Sequence, residues 1–299
     1  MITGKDRLRR TMMFVSAQRP ALIKDAYVYR PDSVIFDLED AVAENQKDAA
    51  RFSLYHTLKT VDYGDVERVV RINATDTSYW REDIRACVAG GAGAIRIAKC
   101  ENAGDVHEVE AAIVAAEAEF CREAGATLIM AAIESPRGVL NAREICESSP
   151  RLFGVAISGG DFRKSMHTTY NPSGIEMLAA RGQLLIAARS AGIQCFDTVF
   201  TDLDDMEGFK AEVTLIKEMG FDGKSIVNPR QIQIVHDLFA PSAQEVREAE
   251  RIVRAVRANA EKGVGVFTLD GKMLDAAFVP GAERILAIAK ASGLYRGDL

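Results

Sequence analysis

Two acids stand where apolar runs give out. LIMAAIESP (residues 128–136) passes through apolar residues into Glu134, Ser135 and Pro136, and the next such run, RLFGVAISGGDF (151–162), ends on two glycines and Asp161. Carboxylates at the same ends of consecutive strands are candidate ligands for a hard cation. Mg²⁺ is the natural one, because it takes one or two carboxylates and completes its shell with water and substrate oxygens. The Gly-Gly-Asp turn adds a backbone free to approach a ligand closely. A lone strand-end carboxylate more often caps a helix or pairs with a cation. The two together bring metal binding level with that reading.

Other polar residues fall at strand ends: Asp37, Glu39 and Asp40, then Arg71 and Asn73, Arg96 and Lys99, Asp197 and Asp202, and Asn228. Arg71, set among Val69, Val70 and Ile72, either points into the barrel mouth or forms a buried structural pair. At least part of the Asp37, Glu39 and Asp40 cluster is expected to be a structural network holding Arg and Lys side chains. No histidine stands at a strand end: His56, His107 and His236 fall in helical stretches and His167 in a loop. A zinc centre and a Ser-His-Asp triad therefore lack their main ingredient. Asp275, from its local sequence, reads as a solvated hairpin residue.

Eight strand candidates must position these groups: 11–15, 33–40, 68–73, 92–99, 127–134, 152–158, 192–200 and 222–227. Most are continuous apolar runs, as expected when helices cover the outer face of a parallel sheet. Between them the periodicity is helical. In 105–125, Val106, Val109, Ile113 and Ala116 recur at spacings of three and four, with Gly125 at the expected end. Ser135-Pro136 and Asn228-Pro229 each offer a cap followed by a first-turn proline. Eight βα units predict a (β/α)₈ TIM barrel over residues 1–240, with its site at the C-terminal ends of the strands. A doubly wound open sheet is the alternative, and the lack of a G-x-G-x-x-G after the first strand counts against its dinucleotide-binding form. Residues 241–299 read as a C-terminal helix-hairpin-helix extension: Ser242 and Glu245 have capping-box spacing and Asp270-Gly271 separates two apolar runs. It is expected to act as a lid and in oligomerisation.

Composition narrows the function classes. The 299 residues are 48% hydrophobic and 27% charged, which suits a globular chain and excludes disorder. A net charge of −6 and a pI near 5.4 argue against a duplex nucleic-acid partner. Five widely spaced cysteines without a C-x-x-C suggest a reducing compartment. The apolar part of the N-terminal stretch, residues 12–15, is too short for a signal peptide, and no run approaches a membrane span. A cytoplasmic protein is expected, with no membrane partner.

The phrases SVIFDLEDAV, VVRIN, AAIESPRGV, ARSAGIQCFDTVFTD, GFDGKSIVNPRQI and LDGKMLD resemble, in order and spacing, the citrate lyase β/malyl-CoA lyase branch of the HpcH/HpaI aldolase superfamily. The resemblance spans nearly the whole chain. It implies a Mg²⁺-dependent barrel with metal ligands Glu134 and Asp161, Glu134 also bordering the substrate. It further implies a substrate-binding and catalytic Arg71 and a catalytic Asp275 on a C-terminal lid. The implied chemistry is retro-Claisen carbon–carbon cleavage of a citryl thioester, carried on CoA or an acyl carrier protein, to oxaloacetate and an acetyl thioester. Citramalyl-CoA or malyl-CoA is the alternative substrate. Implied partners are α and γ (acyl carrier) subunits and further copies of the chain, as a homotrimer or hexamer. Lys99 or Lys224 is the expected contact for the pantetheine or phosphate of the thioester carrier. The chain departs from the family pattern at Gly160, where an acid is usual, at Ser16, where proline is usual, and in the loop 163–174, which lacks a second basic residue.

Overall fold

The computed structural model describes residues 4, 5 and 7–299. Residues 1–3 and 6, part of the N-terminal stretch weighed above as a signal peptide, lie outside the described residues.

Eight strands run β1 (Thr11–Ser16), β2 (Ser33–Asp37), β3 (Glu67–Arg71), β4 (Ala94–Ile97), β5 (Leu128–Ile133), β6 (Leu152–Ile157), β7 (Gln194–Asp197) and β8 (Gly223–Ile226). They pair in chain order, all parallel, and β1 closes onto β8 with Met12 opposite Ser225. The chain is thus a closed (β/α)₈ barrel, and the open-sheet alternative falls. Burial on both faces explains the unbroken apolar runs, since every residue of β2, β5 and β6 is buried.

Strand parity decides what reaches the mouth. Met12, Ile35, Val69, Ala94, Met130 and Phe196 belong to the apolar cluster that fills the barrel. Two residues beyond Ile35, Val69 and Ala94, the same face carries Asp37, Arg71 and Arg96. The register sets these three side by side, Asp37 opposite Arg71 and Arg71 opposite Arg96. Asp197 and Lys224 have the opposite parity to Phe196 and Ser225.

The turn after β5 is fixed locally. Ser135 Oγ accepts from the Gly138 N–H at 3.1 Å, capping the helix Pro136–Leu140, which begins on Pro136. Asn228 similarly accepts from the Arg230 N–H at 3.0 Å ahead of the helix Arg230–Phe239. One helix ends earlier than its periodicity suggests: Ala103–Glu119 stops short of Gly125. A long-range contact is the reason. Glu117 accepts the N–H groups of Gly125 and Thr127 at 3.0 and 2.9 Å and pairs with Arg151 at 2.8 Å, folding the chain back toward β5.

The chain divides into two compact units, Met1–Val235 and His236–Leu299. In the second, the helix Ala243–Ala260 starts on the Ser242/Glu245 capping box. The hairpin β9 (Val266–Leu269) and β10 (Lys272–Asp275) turns at Asp270 and Gly271, with φ of 51° and 80°. Positive φ at both central residues is what a type I′ turn requires. The helix Val279–Ala291 then packs Ala282, Leu286 and Ala289 against Val246, Ala249 and Val253. No helix among the described residues is long and apolar enough to cross a membrane.

Candidate active site

At the C-terminal ends of the barrel strands lies a pocket of about 430 Å³ whose lining includes Asp37, Arg71, Arg96, Glu134 and Asp161. Three of the four residues singled out from the sequence therefore come together here. Asp275 stands in the second unit, where it ends β10 and accepts the Ala277 N–H at 2.9 Å.

Glu134 follows β5 directly and is only 3% exposed. Its one hydrogen bond among the described residues comes from the Lys99 N–H at 3.3 Å, and no cationic side chain pairs with it. Burial pushes its carboxyl up to about 7, opposed by the nearby Arg71 charge and reinforced by Glu39. Asp161, in the first turn of the short helix Gly159–Ser165, has no hydrogen bond or ion pair among the described residues. Two carboxylates without cationic partners, opening onto one pocket, are a donor set that fits a hard oxygen-seeking cation. No group of three or more His, Cys, Asp or Glu suited to a metal occurs among the described residues. Mg²⁺ needs only one or two protein carboxylates and leaves most of its shell to water and substrate.

The two glycines before Asp161 differ. A Cβ on Gly159 would come within 2.8 Å of Arg163 Nη1 and 3.0 Å of Thr198 Oγ1, so this position excludes a side chain. At Gly160 a Cβ meets nothing within 4 Å, so glycine is not sterically required there.

Arg71 satisfies both of its sequence readings. It lines the pocket, and it bonds Asp37 in bidentate fashion, Nε to Oδ1 at 2.7 Å and Nη2 to Oδ2 at 2.6 Å, with Glu39 2.9 Å from Nη1. Burial would raise the Asp37 carboxyl, but Arg71 and the N–H groups of Glu39 and Ala41 hold it below its ordinary value. Glu39 also pairs with Lys99 at 2.5 Å, so the acid cluster after β2 is a network around Arg and Lys side chains.

Lys224 corrects an expectation. It is fully buried and bonds Asp197 at 2.9 Å, Glu212 at 2.5 Å and the Thr198 carbonyl at 2.7 Å, leaving nothing for a thioester carrier. Asp197 likewise faces the helices Ile175–Ser190 and Met206–Met219, where Arg181 bonds it twice, at 2.8 and 2.9 Å. Lys99 remains 43% exposed at its side chain.

Sequence reasoning collected Arg96 as a strand-end residue without giving it a role. Arg96 is 1% exposed, and its guanidinium bonds Ser158 Oγ at 3.1 Å and Ser225 Oγ at 3.5 Å and has an unpartnered Nε. Burial, with the like charge of Arg71 beside it, pulls it down to about 10. Phe14 lies against both arginines, its ring centroid 5.2 Å from the Arg71 guanidinium carbon and 5.1 Å from that of Arg96. The parity of Ala94 and Arg96 was the available signal.

A parallel eight-stranded barrel whose mouth sets unpaired acids beside two guanidinium groups has the frame of a barrel carbon–carbon lyase. Residues 10–229 match the HpcH/HpaI aldolase/citrate lyase family, and the chain belongs to it. It is 48% identical over 295 residues to citrate lyase subunit beta of Leuconostoc mesenteroides subsp. cremoris, covering 99% of this chain and 98% of that protein. It is 35% identical over 289 residues to a (3S)-malyl-CoA thioesterase of Cereibacter sphaeroides, covering 97% of each. Among solved structures it resembles protein CitE of Mycobacterium tuberculosis in complex with magnesium, acetoacetate and coenzyme A. That likeness has a TM-score of 0.76 and 29% identity, over 96% of this chain and 100% of the other.

Proposed function

We propose that this enzyme cleaves a citryl thioester, borne on CoA or an acyl carrier protein, to oxaloacetate and an acetyl thioester by a retro-Claisen reaction. The observation that carries the reading is the meeting of Glu134 and Asp161, both without cationic partners, with Arg71 in one pocket of a citrate-lyase-family barrel. Glu134 and Asp161 would hold Mg²⁺, which supplies a Lewis acid and template for the hydroxyl and its neighbouring carboxylate.

The substrate hydroxyl loses its proton to water, its carbon becomes the keto carbon of oxaloacetate, and the electrons of the breaking C–C bond pass into the thioester enolate. Arg71, held rigid by Asp37 and Glu39, keeps N–H donors to spare for a substrate carboxylate or the enolate oxygen. Asp275, as a lid residue, delivers the proton that turns the enolate into the acetyl group. Lys99 is the remaining candidate contact for the carrier's pantetheine or phosphate. α and acyl carrier subunits, a homotrimeric or hexameric assembly and a cytoplasmic setting belong to the same reading. The setting draws support from five free cysteines, four of them buried.

A free-standing enzyme for malyl-CoA or citramalyl-CoA is the second reading, favoured by the likeness to the malyl-CoA protein and by the open space at Gly160. One experiment separates the two. Purified protein with Mg²⁺ is offered citryl-CoA, (R)- and (S)-citramalyl-CoA and malyl-CoA, and the 2-oxoacid released is identified. Oxaloacetate as the main product supports the first reading, and pyruvate or glyoxylate the second. Cleavage of none, with Mg²⁺ bound normally, refutes both.

A further inference from the structure

Arg9, Arg96, Arg151 and Arg181 are the buried arginines of the described residues. Three of them have their acid: Arg9 pairs with Glu67 at 2.6 Å, Arg151 with Glu117 at 2.8 Å and Arg181 with Asp197 at 2.8 Å. Arg96 has none. It has two serine hydroxyls, Ser158 and Ser225, and an Nε with no acceptor. A guanidinium taken out of water with no acid in contact is costly, and an anion from outside offsets that cost; Glu134, Asp37 and Glu39 act on Arg96 only at longer range.

The surroundings identify the anion. Arg96 lines the mouth pocket beside Arg71, whose own charge is met by Asp37 and Glu39. Phe14 lies against both guanidinium groups, its ring face favourable to each charge. Glu134 and Asp161 supply the pocket with carboxylates for a cation, so the group left for the ligand to meet is Arg96, and a carboxylate meets it. The planar guanidinium fork suits a carboxylate in particular.

We propose that Arg96 binds the second carboxylate of the oxoacid half of the substrate. It thereby selects thioesters whose cleavage releases a dicarboxylic 2-oxoacid over those releasing a monocarboxylic one. The inference rests on the lyase reading and deepens it. In a citryl thioester both free carboxylates leave with the oxoacid, so Arg96 holds the same fragment before and after the C–C bond breaks. In a citramalyl thioester a methyl group stands where that second carboxylate's arm would be, and Arg96 stays unmatched. Ser158 and Ser225 orient the fork and supply no charge.

The test compares wild type with Arg96→Met and Arg96→Lys, all with Mg²⁺. Binding of freshly dissolved oxaloacetate and of pyruvate is measured by calorimetry, and kcat/KM is measured for citryl-CoA and both citramalyl-CoA enantiomers. Wild type is expected to bind oxaloacetate at least about tenfold more tightly than pyruvate. Arg96→Met is expected to lose about 10²-fold on citryl-CoA and on oxaloacetate, as for truncation of one partner of a buried charge pair. Its pyruvate binding and citramalyl-CoA turnover should stay within about threefold of wild type. Arg96→Lys, which keeps the charge without the fork, is expected to retain part of the preference, and it serves if the methionine variant fails to fold. Equal losses on both substrate classes, no loss on either, or a wild type that binds pyruvate as tightly as oxaloacetate overturns the proposal. Failure of the lyase reading looks different. A wild type that cleaves no thioester yet prefers oxaloacetate in an Arg96-dependent way refutes the reaction and keeps the dicarboxylate site.

Discussion

Two charge clusters in the barrel unit are built on opposite principles. Between β7, β8 and the helices outside them, Asp197, Glu212, Arg181 and Lys224 form a closed set of two acids and two bases, linked at 2.5–3.1 Å. At the mouth, Arg71, Asp37, Glu39 and Lys99 are also linked, but Glu134, Asp161 and Arg96 are left over. A structural network balances its charges internally because each unmatched buried charge costs stability. The mouth leaves groups of both signs without ion pairs, and on the proposed function ligands of complementary charge offset that cost.

Substitutions can break that comparison, the largest effect falling on the closed cluster. Asp197→Ala leaves Glu212 as the one acid facing both Arg181 and Lys224, and removing one member of a buried pair costs about 3–5 kcal/mol. Thermal unfolding should show a drop in Tm of several degrees or loss of soluble protein, whereas an unchanged Tm would show that the cluster is not structural. Glu134→Gln has the reverse profile. Turnover with Mg²⁺ is expected to fall about 10³-fold, on the scale of other losses of preorganised charge stabilisation, while Tm stays level or rises. Turnover within a few-fold of wild type would sink its assignment. Asp275→Asn should lose about 10²-fold in kcat, the scale of one positioned acid, with Mg²⁺ affinity unchanged. Full activity would remove Asp275 from the mechanism.

The smallest effect is in pH. Burial raises the Asp197 carboxyl, but Lys224 and Arg181 bring it below its ordinary value. Its folded value is thus lower than its unfolded one of about 3.9, so the stability it gives is complete above that value and lost as pH falls through the folded one. Urea midpoints for wild type between pH 5 and pH 2 should therefore fall mainly below about pH 4. Asp197→Asn, lacking the titrating group, should show a shallower fall over the same range. Equal slopes would contradict the pairing.

The same contrast explains what was legible in the sequence. Most of the strands, buried on both faces, are continuous apolar runs and stood out for that reason. Local devices stood out for the same reason that they work, namely that cap, proline and turn residues lie within a few positions of one another: Ser135 with Pro136, Ser242 with Glu245, Asp270 with Gly271. What depended on distant partners did not. The end of Ala103–Glu119 is set by Arg151, remote in sequence. Lys224 was expected to meet the thioester carrier, yet it stands within β8. Its parity against Ser225 turns it outward to Glu212. Glu134 and Asp161 were visible as strand-end acids, yet their lack of cationic partners is a property of the folded mouth alone.

The central claim is that Glu134 and Asp161 stand without partners because together they hold a divalent cation. Calorimetric titration of metal-free protein with Mg²⁺ tests this most directly, in wild type, Glu134→Gln and Asp161→Asn. The expected result is one Mg²⁺ per wild-type chain, with affinity lost or cut at least about tenfold in each variant. Equal Mg²⁺ affinity in all three proteins would contradict it.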